Sequence, residues 1–352
     1  MTAPGYPAHA RYFRIRVGPV SLRTERRSVV VAGCLVVALL ALGTVGLLVG
    51  DYRIAPVDIL RALAGTATDP LGSYFVADIR LPRVVAALTV GAALGMSGGI
   101  FQRLSGNPLG SPDVIGFTTG SATGALVVIV LLGGTPLAVA GGAFAGGAVT
   151  AALVYTLAYR GGLTSYRLVL VGLGVAAVLA ALNSLLVVRA DLDSAQDAAH
   201  WLAGSLNALP WGGVLFAAAA VAALAPCAAA LSRPLGMLAL GDDIATGLGV
   251  RVQWVRLALL LVGVALVATA TALAGPIAFI ALAAPQIAAR LSRSSGVGLG
   301  LAALTGALLV LGSDLIAQRL YAPTQLPVGV VSGALGGLYL IGLLVREWRK
   351  IG

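Results

Sequence analysis

The sequence predicts an all-α, polytopic membrane protein of about ten transmembrane helices, with both termini in the cytoplasm. Three observations predict it. The chain of 352 residues is 59% hydrophobic and only 10% charged, whereas a soluble domain carries roughly 25% charged residues to solvate its surface. Its uncharged runs have the length of a bilayer crossing, about 20 residues. Its basic residues fall on one side of those runs. The net charge of +10 would suit nucleic acid, but the charges sit between long apolar runs and form no stripe.

Residues 1–28 are polar and basic, with Arg11, Arg14, Arg16, Arg23, Arg26 and Arg27. Residues 29–49 carry no charge and make the first span. A signal peptide is the rival reading. It fails because no small-residue cleavage site follows and the charged leader is long. Residues 51–80 are mixed, and Pro56-Val-Asp-Ile-Leu-Arg-Ala-Leu63 predicts a short amphipathic helix at the interface. The following uncharged runs are 84–102, 114–159, 168–188, 201–232, 257–289, 294–313 and 320–345. Gly133-Gly134-Thr135-Pro136 divides the second of these into two helices, and Gly275-Pro276 divides the fifth. The piece after Pro276 is short, a half-length or tilted helix packed on protein.

The expected helices are therefore 29–49, 83–103, 114–132, 137–159, 166–188, 211–231, 254–274, 277–291, 297–318 and 328–345. They form a transmembrane domain over 29–346, between the basic segment 1–28 and a tail at 347–352. An even count puts both ends on one side. With that side cytoplasmic, 17 of the 23 Lys and Arg lie inside and six outside: Arg53, Arg61, Arg80, Arg83, Arg189 and Arg319. Asp51, Asp58, Asp69, Asp78, Asp191, Asp193 and Asp197 lie outside, so the charge bias fixes the orientation.

Several chemistries are excluded. The only lysine is Lys350, so no G-x-x-x-x-G-K-[ST] loop exists, and any ATP that drives this chain binds to another. Cys34 and Cys227 lie in apolar runs and read as small core residues. His9 and His200 have no Cys or His near them, so neither a metal site nor a cofactor is expected. No Ser-His-Asp set or carboxylate pair presents itself. Asp314 is the nearest acid to mid-membrane. A self-powered carrier needs ionisable groups at the midplane, and their scarcity favours a path driven by a partner. Clustered glycines at 91, 95, 98 and 99, at 142, 146 and 147, and at 172 and 174 fit either tight helix packing or sliding during gating.

Three segments stand out. Arg80-Leu-Pro-Arg83 precedes a Gly/Ala-rich helix and then Gly106-Asn-Pro-Leu-Gly-Ser-Pro-Asp-Val-Ile-Gly116, which on its own reads as a helix–turn–helix link. Leu240-Gly-Asp-Asp-Ile-Ala-Thr-Gly-Leu-Gly249-Val lies inside by topology, either a solvated loop or a short-helix element that docks a partner. Ala274-Gly-Pro-Ile-Ala-Phe-Ile-Ala-Leu-Ala-Ala-Pro-Gln-Ile-Ala-Ala-Arg290 is followed by Asp314-Leu-Ile-Ala-Gln-Arg319 and Gln325-Leu-Pro-Val-Gly-Val-Val-Ser-Gly-Ala334.

In this order and spacing, the segments resemble the FecCD-type permeases of ABC importers for iron–siderophore complexes, haem and vitamin B12. The resemblance runs from about Asp51 to Arg346 and is nearest to the enterobactin-like permeases. Pro285-Gln286 stands where many members carry Pro-His, which leans the likeness toward catecholate siderophores and away from vitamin B12. The resemblance implies a ten-helix, non-enzymatic subunit of the cell (inner or plasma) membrane. It pairs with a second copy or a paralogue, with ABC ATPase subunits beneath and an extracytoplasmic substrate-binding protein above.

By the same resemblance, Gly241, Asp242, Asp243, Ile244, Ala245 and Gly249 belong to the ATPase-coupling element, and Arg53, Arg61 and Arg319 face the binding protein. From their own chemistry these arginines either steer a partner or snorkel at the interface. The fifth helix lines the path in such permeases, which points to Gly172, Gly174 and Asn183. Asn183 on its own fits pore lining or an interhelical hydrogen bond. The leading expectation is a ferric siderophore permease. Vitamin B12 or haem import by the same machine is the alternative, ahead of a secondary carrier and a membrane-embedded enzyme.

Overall fold

The fold follows from one constraint: in lipid, each apolar segment must satisfy its own backbone hydrogen bonds, so the uncharged runs become helices. The computed structural model describes residues 12–17, 20–50, 52–66, 69–162, 164–293 and 298–351. His9 and Asp51 lie outside them.

A short antiparallel ribbon comes first: β1 (Tyr12–Val17) pairs with β2 (Val20–Glu25), Tyr12 opposite Glu25 and Val17 opposite Val20. The long helix α1 (Arg26–Leu48) follows directly. Two short helices, α2 (Pro56–Leu63) and α3 (Pro70–Tyr74), lead through a π-helical stretch (Phe75–Arg80) into α4 (Leu81–Ser105). A four-residue helix α5 (Pro112–Ile115) and α6 (Phe117–Val127), extended by a π-helical turn (Val128–Leu132), precede α7 (Pro136–Ala158). Next come α8 (Ser165–Arg189), α9 (Leu192–Leu202), α10 (Trp211–Leu238) and α11 (Asp242–Gly247). The chain ends with α12 (Val252–Ala274), α13 (Ile280–Ser292), α14 (Leu299–Arg319) and α15 (Val328–Ile351).

Each of the ten expected segments falls on a helix. Among the described residues, seven helices are long and apolar enough to cross a membrane, and two shorter apolar ones span Phe117–Leu132 and Val328–Gly342. The breaks at Gly133-Pro136 and Gly275-Pro276 are both present, with Gly133 (φ 56°) and Gly275 (φ 71°) in positive-φ conformations. Three elements differ from the expectation. The ribbon occupies part of the basic leader. Helix α9 lies where only an acidic loop was expected; Asp191 caps it by accepting the Ser194 amide at 2.7 Å, which holds the carboxyl below its usual range. Helix α10 runs through Pro226 and Pro234 to Leu238, seven residues beyond its expected end at 231.

The centre of the bundle is α4, buried over most of its length. It packs on α10, α12, α13 and above all α14. The α4–α14 seam is backbone against backbone. A Cβ on Gly91 would lie 2.4 Å from the Gly306 carbonyl oxygen, and one on Gly95 would lie 2.1 Å from that of Ala302. The packing reading of the first glycine cluster is therefore sufficient here, because small residues let the helices close up and gain dispersion contacts. Polar side chains tie the same core: the Ser97 hydroxyl donates to the Gly263 carbonyl (2.8 Å) and the Gln102 amide to that of Leu282 (2.9 Å). By contrast, α1, α8 and α10 leave most of their apolar surface uncovered by the chain, so Cys34 on α1 and Cys227 on α10, expected in the core, are exposed instead.

Candidate functional site

The chemistry-bearing residues gather at the two ends of the bundle and on one flank. At one end of the bundle, the inner one by the charge bias of the sequence, α11 is a single short helix bounded by Gly241 (φ 102°) and Gly249 (φ 83°), left-side conformations that a side chain would strain. Arg256, near the start of α12, holds it. Its guanidinium donates to both carboxylate oxygens of Asp242, at 2.9 and 2.8 Å. Ala245, on the underside of α11, is fully buried, and the Val250 amide returns to its carbonyl at 3.0 Å. The opposite face is apolar and open: Leu240, Ile244 and Leu248 are 59%, 55% and 58% exposed. Asp243 is exposed beside them. A rigidly mounted apolar knob is suited to receive a protein surface rather than water.

The loop after α4 lies next to it. Gln286 on α13 donates its amide to the Pro108 carbonyl at 2.8 Å. The residue read as a pointer to cargo therefore tethers the inner loop. In the neighbouring turn, Asp113 is half-buried. Burial raises its carboxyl above the usual range, and the hydrogen bond from the Thr118 hydroxyl (2.5 Å) acts against that.

The outer end is built around two arginines of Arg80-Leu-Pro-Arg83. Arg80 is buried and donates to the carbonyls of Leu47 (2.7 Å), Leu48 (3.3 Å) and Tyr52 (2.5 Å), closing the C-terminus of α1. Arg83 forms a two-pronged pair with Asp314, both contacts 2.8 Å, and a third bond to Gln325 at 2.7 Å. Gln318 donates to the same carboxylate at 2.8 Å. These residues join α4, α14 and the turn before α15. Arg53 is exposed in the loop before α2, Arg319 is exposed at the end of α14, and Arg61 on α2 pairs with Asp58 at 3.1 Å.

On the flank, α8 separates the three residues expected along the path. Gly172 packs on Ile115, where a Cβ would meet the Ile115 carbonyl oxygen at 2.7 Å, whereas Gly174 faces open space. Asn183 lies about three turns beyond Gly172 and shares its face. Its side-chain oxygen is buried and finds no hydrogen-bond partner among the described residues.

The sequence reading missed Arg256, Arg80 and the Arg83–Asp314 pair. The signal was there for the last: an isolated acid near an outer helix end and a motif arginine at the same depth. Among the described residues no group of three or more His, Cys, Asp or Glu side chains comes together.

Comparison with known proteins agrees with this architecture. The chain is 49% identical over 326 residues to the ferric enterobactin transport system permease protein FepG of Escherichia coli K12, covering 93% of this chain and 98% of that one. It is 39% identical over 316 residues to the achromobactin transport system permease protein CbrC of Dickeya dadantii, covering 88% and 89%. Among solved structures it superimposes on an ABC transporter assigned to the metal-chelate type, in an inward-facing conformation. The TM-score is 0.79 at 27% identity, over 91% of this chain and 99% of that one. The FecCD transport family matches residues 36–346. This chain, a multi-pass membrane permease subunit and not itself an enzyme, belongs to the FecCD transport family.

Proposed function

We propose that the chain forms half of the translocation path of an ABC importer for a ferric siderophore, with a second copy or a paralogue as the other half. The exposed apolar face of α11, clamped by Arg256 and Asp242, carries the reading. It is where an ATPase subunit docks, and the lone lysine at 350 means that ATP must be bound on such a partner. Gly241, Asp243, Ile244, Ala245 and Gly249 shape that element. Ferric enterobactin and achromobactin are the cargoes named for two permeases to which the chain is 49% and 39% identical.

At the outer end, Arg53, Arg61 and Arg319 supply positive charge for an acidic binding-protein surface, where exposed charge governs encounter and register. On α8, Gly174 faces open space and is the residue of the three that borders the path or the second subunit, while Gly172 and Asn183 share the other face. The test is uptake of radio-iron as a catecholate siderophore in a strain lacking this gene and any paralogue, with and without the restored chain. Uptake that needs the chain and ceases on ATP depletion is expected. Uptake that is unaffected by the deletion overturns the reading, and rescue of haem or vitamin B12 uptake alone replaces the cargo.

A further inference from the structure

A cavity of about 570 Å³ lies at the inner end, between the end of α4, the Asn107-Pro108 loop and the α10–α11 turn. Its charge does not balance. Arg256 and Asp242 line it and neutralise one another through their two hydrogen bonds. Arg103 lines it too, half-buried, and its guanidinium makes no hydrogen bond or ion pair within the described residues. The neighbouring Arg167 differs: it donates to the Arg160 carbonyl (3.0 Å) and the Thr164 hydroxyl (3.1 Å). Asp113 is bound to Thr118, and neither it nor Asp243 lines the cavity. The cavity therefore carries one uncompensated positive charge.

A partly buried charge without a partner is costly, and a carboxylate is the side chain that matches a guanidinium in shape and charge. The cavity shares Gly241 and Asp242 with α11, so it adjoins the element at which the ATPase is proposed to dock. We propose that Arg103 receives a carboxylate side chain of the docked ATPase subunit, an ion pair that orients the partner beside the apolar contact of α11. This rests on the reading that an ATPase docks there. Arg103 is a positioning residue for that partner.

The experiment uses the permease with its ATPase in nanodiscs of neutral phosphatidylcholine, which supply no anionic headgroup. Binding of the ATPase is measured for the wild type, Arg103→Lys, Arg103→Gln and Arg103→Glu. Arg103→Glu is expected to weaken binding by roughly tenfold or more, because like charges then face each other, while Arg103→Lys stays within about threefold. Changing the ATPase's surface acids to lysine one at a time should restore binding to Arg103→Glu at one position only. Wild-type binding by Arg103→Glu overturns the proposal, as does a loss that no single acid-to-lysine change repairs, the result expected if free phosphate filled the cavity. If Arg103→Glu does not fold, Arg103→Gln decides: binding that is weaker and less salt-sensitive supports the ion pair, and unchanged binding refutes it. A wild-type permease that binds no ATPase would instead refute the docking reading itself.

Discussion

Arg83 and Asp314 lie 231 residues apart in sequence and meet through two 2.8 Å hydrogen bonds at the outer end of the bundle. Their side chains are only 11% and 2% exposed. Such a pair is costly to break from one side, because the survivor is left charged and buried. Arg83→Ala or Asp314→Ala should each cost about 3–5 kcal/mol, while Arg83→Met with Asp314→Met should recover most of the loss. Thermal unfolding of the purified chain in detergent measures all three.

The α4–α14 seam makes a sharper steric prediction. Gly95→Ala puts a methyl 2.1 Å from the Ala302 carbonyl oxygen, so backbone must move. A loss of about 1–3 kcal/mol is expected. Gly174→Ala meets nothing within 4 Å and should change stability by less than about 0.5 kcal/mol. Equal melting temperatures for the two variants would contradict the seam.

Docking at α11 predicts uncoupling. Ile244→Glu puts charge on an exposed apolar face and should leave the fold intact while abolishing uptake. Arg256→Ala frees Asp242 and the helix it holds. It should lower uptake per ATP hydrolysed rather than the melting temperature alone. Parallel assays of hydrolysis and uptake in proteoliposomes separate the two effects.

A pH prediction concerns Tyr52, stacked on Phe75 with ring centroids 5.1 Å apart. Its hydroxyl donates to Asp69 at 3.0 Å, and this hydrogen bond and then the Asp69 charge hold the phenol above its ordinary value. With the folded value raised, the stabilisation is present below the unfolded value and fades as pH rises through the folded one. Asp69→Asn, which keeps the cap on the Leu71 amide, should return Tyr52 toward the ordinary phenol range. Difference absorbance titration of the two proteins reads this out.

Much of the fold was legible because lipid leaves so few options. Each of the ten segments expected from hydropathy falls on a helix, seven of the described helices being long and apolar enough to cross a membrane, and two Gly/Pro breaks divided the long runs. Helix α9 was hidden by its own acids: Asp191, Asp193 and Asp197 read as loop, although Asp191 is a good cap. Helix α10 outran its expected end because Arg233 and Pro234 look like stops. Of the candidate site, the coupling segment was visible as a polar island between apolar runs. Its clamp was not, since Arg256 and Asp242 meet only once the α11–α12 turn is folded. The expected path residues proved to point two ways on α8, because a sequence gives the spacing along a helix but not which face the neighbours cover.

The glycine seam also limits how the protein can move. Sliding α4 along α14 by a single residue would drive carbonyl oxygens into the few Cβ atoms that border the contact. The two helices therefore behave as one stiff strut, locked at the outer end by Arg83 and Asp314. The transport stroke must be taken up elsewhere, by tilting this strut as a unit or by displacing the loosely held helices around it.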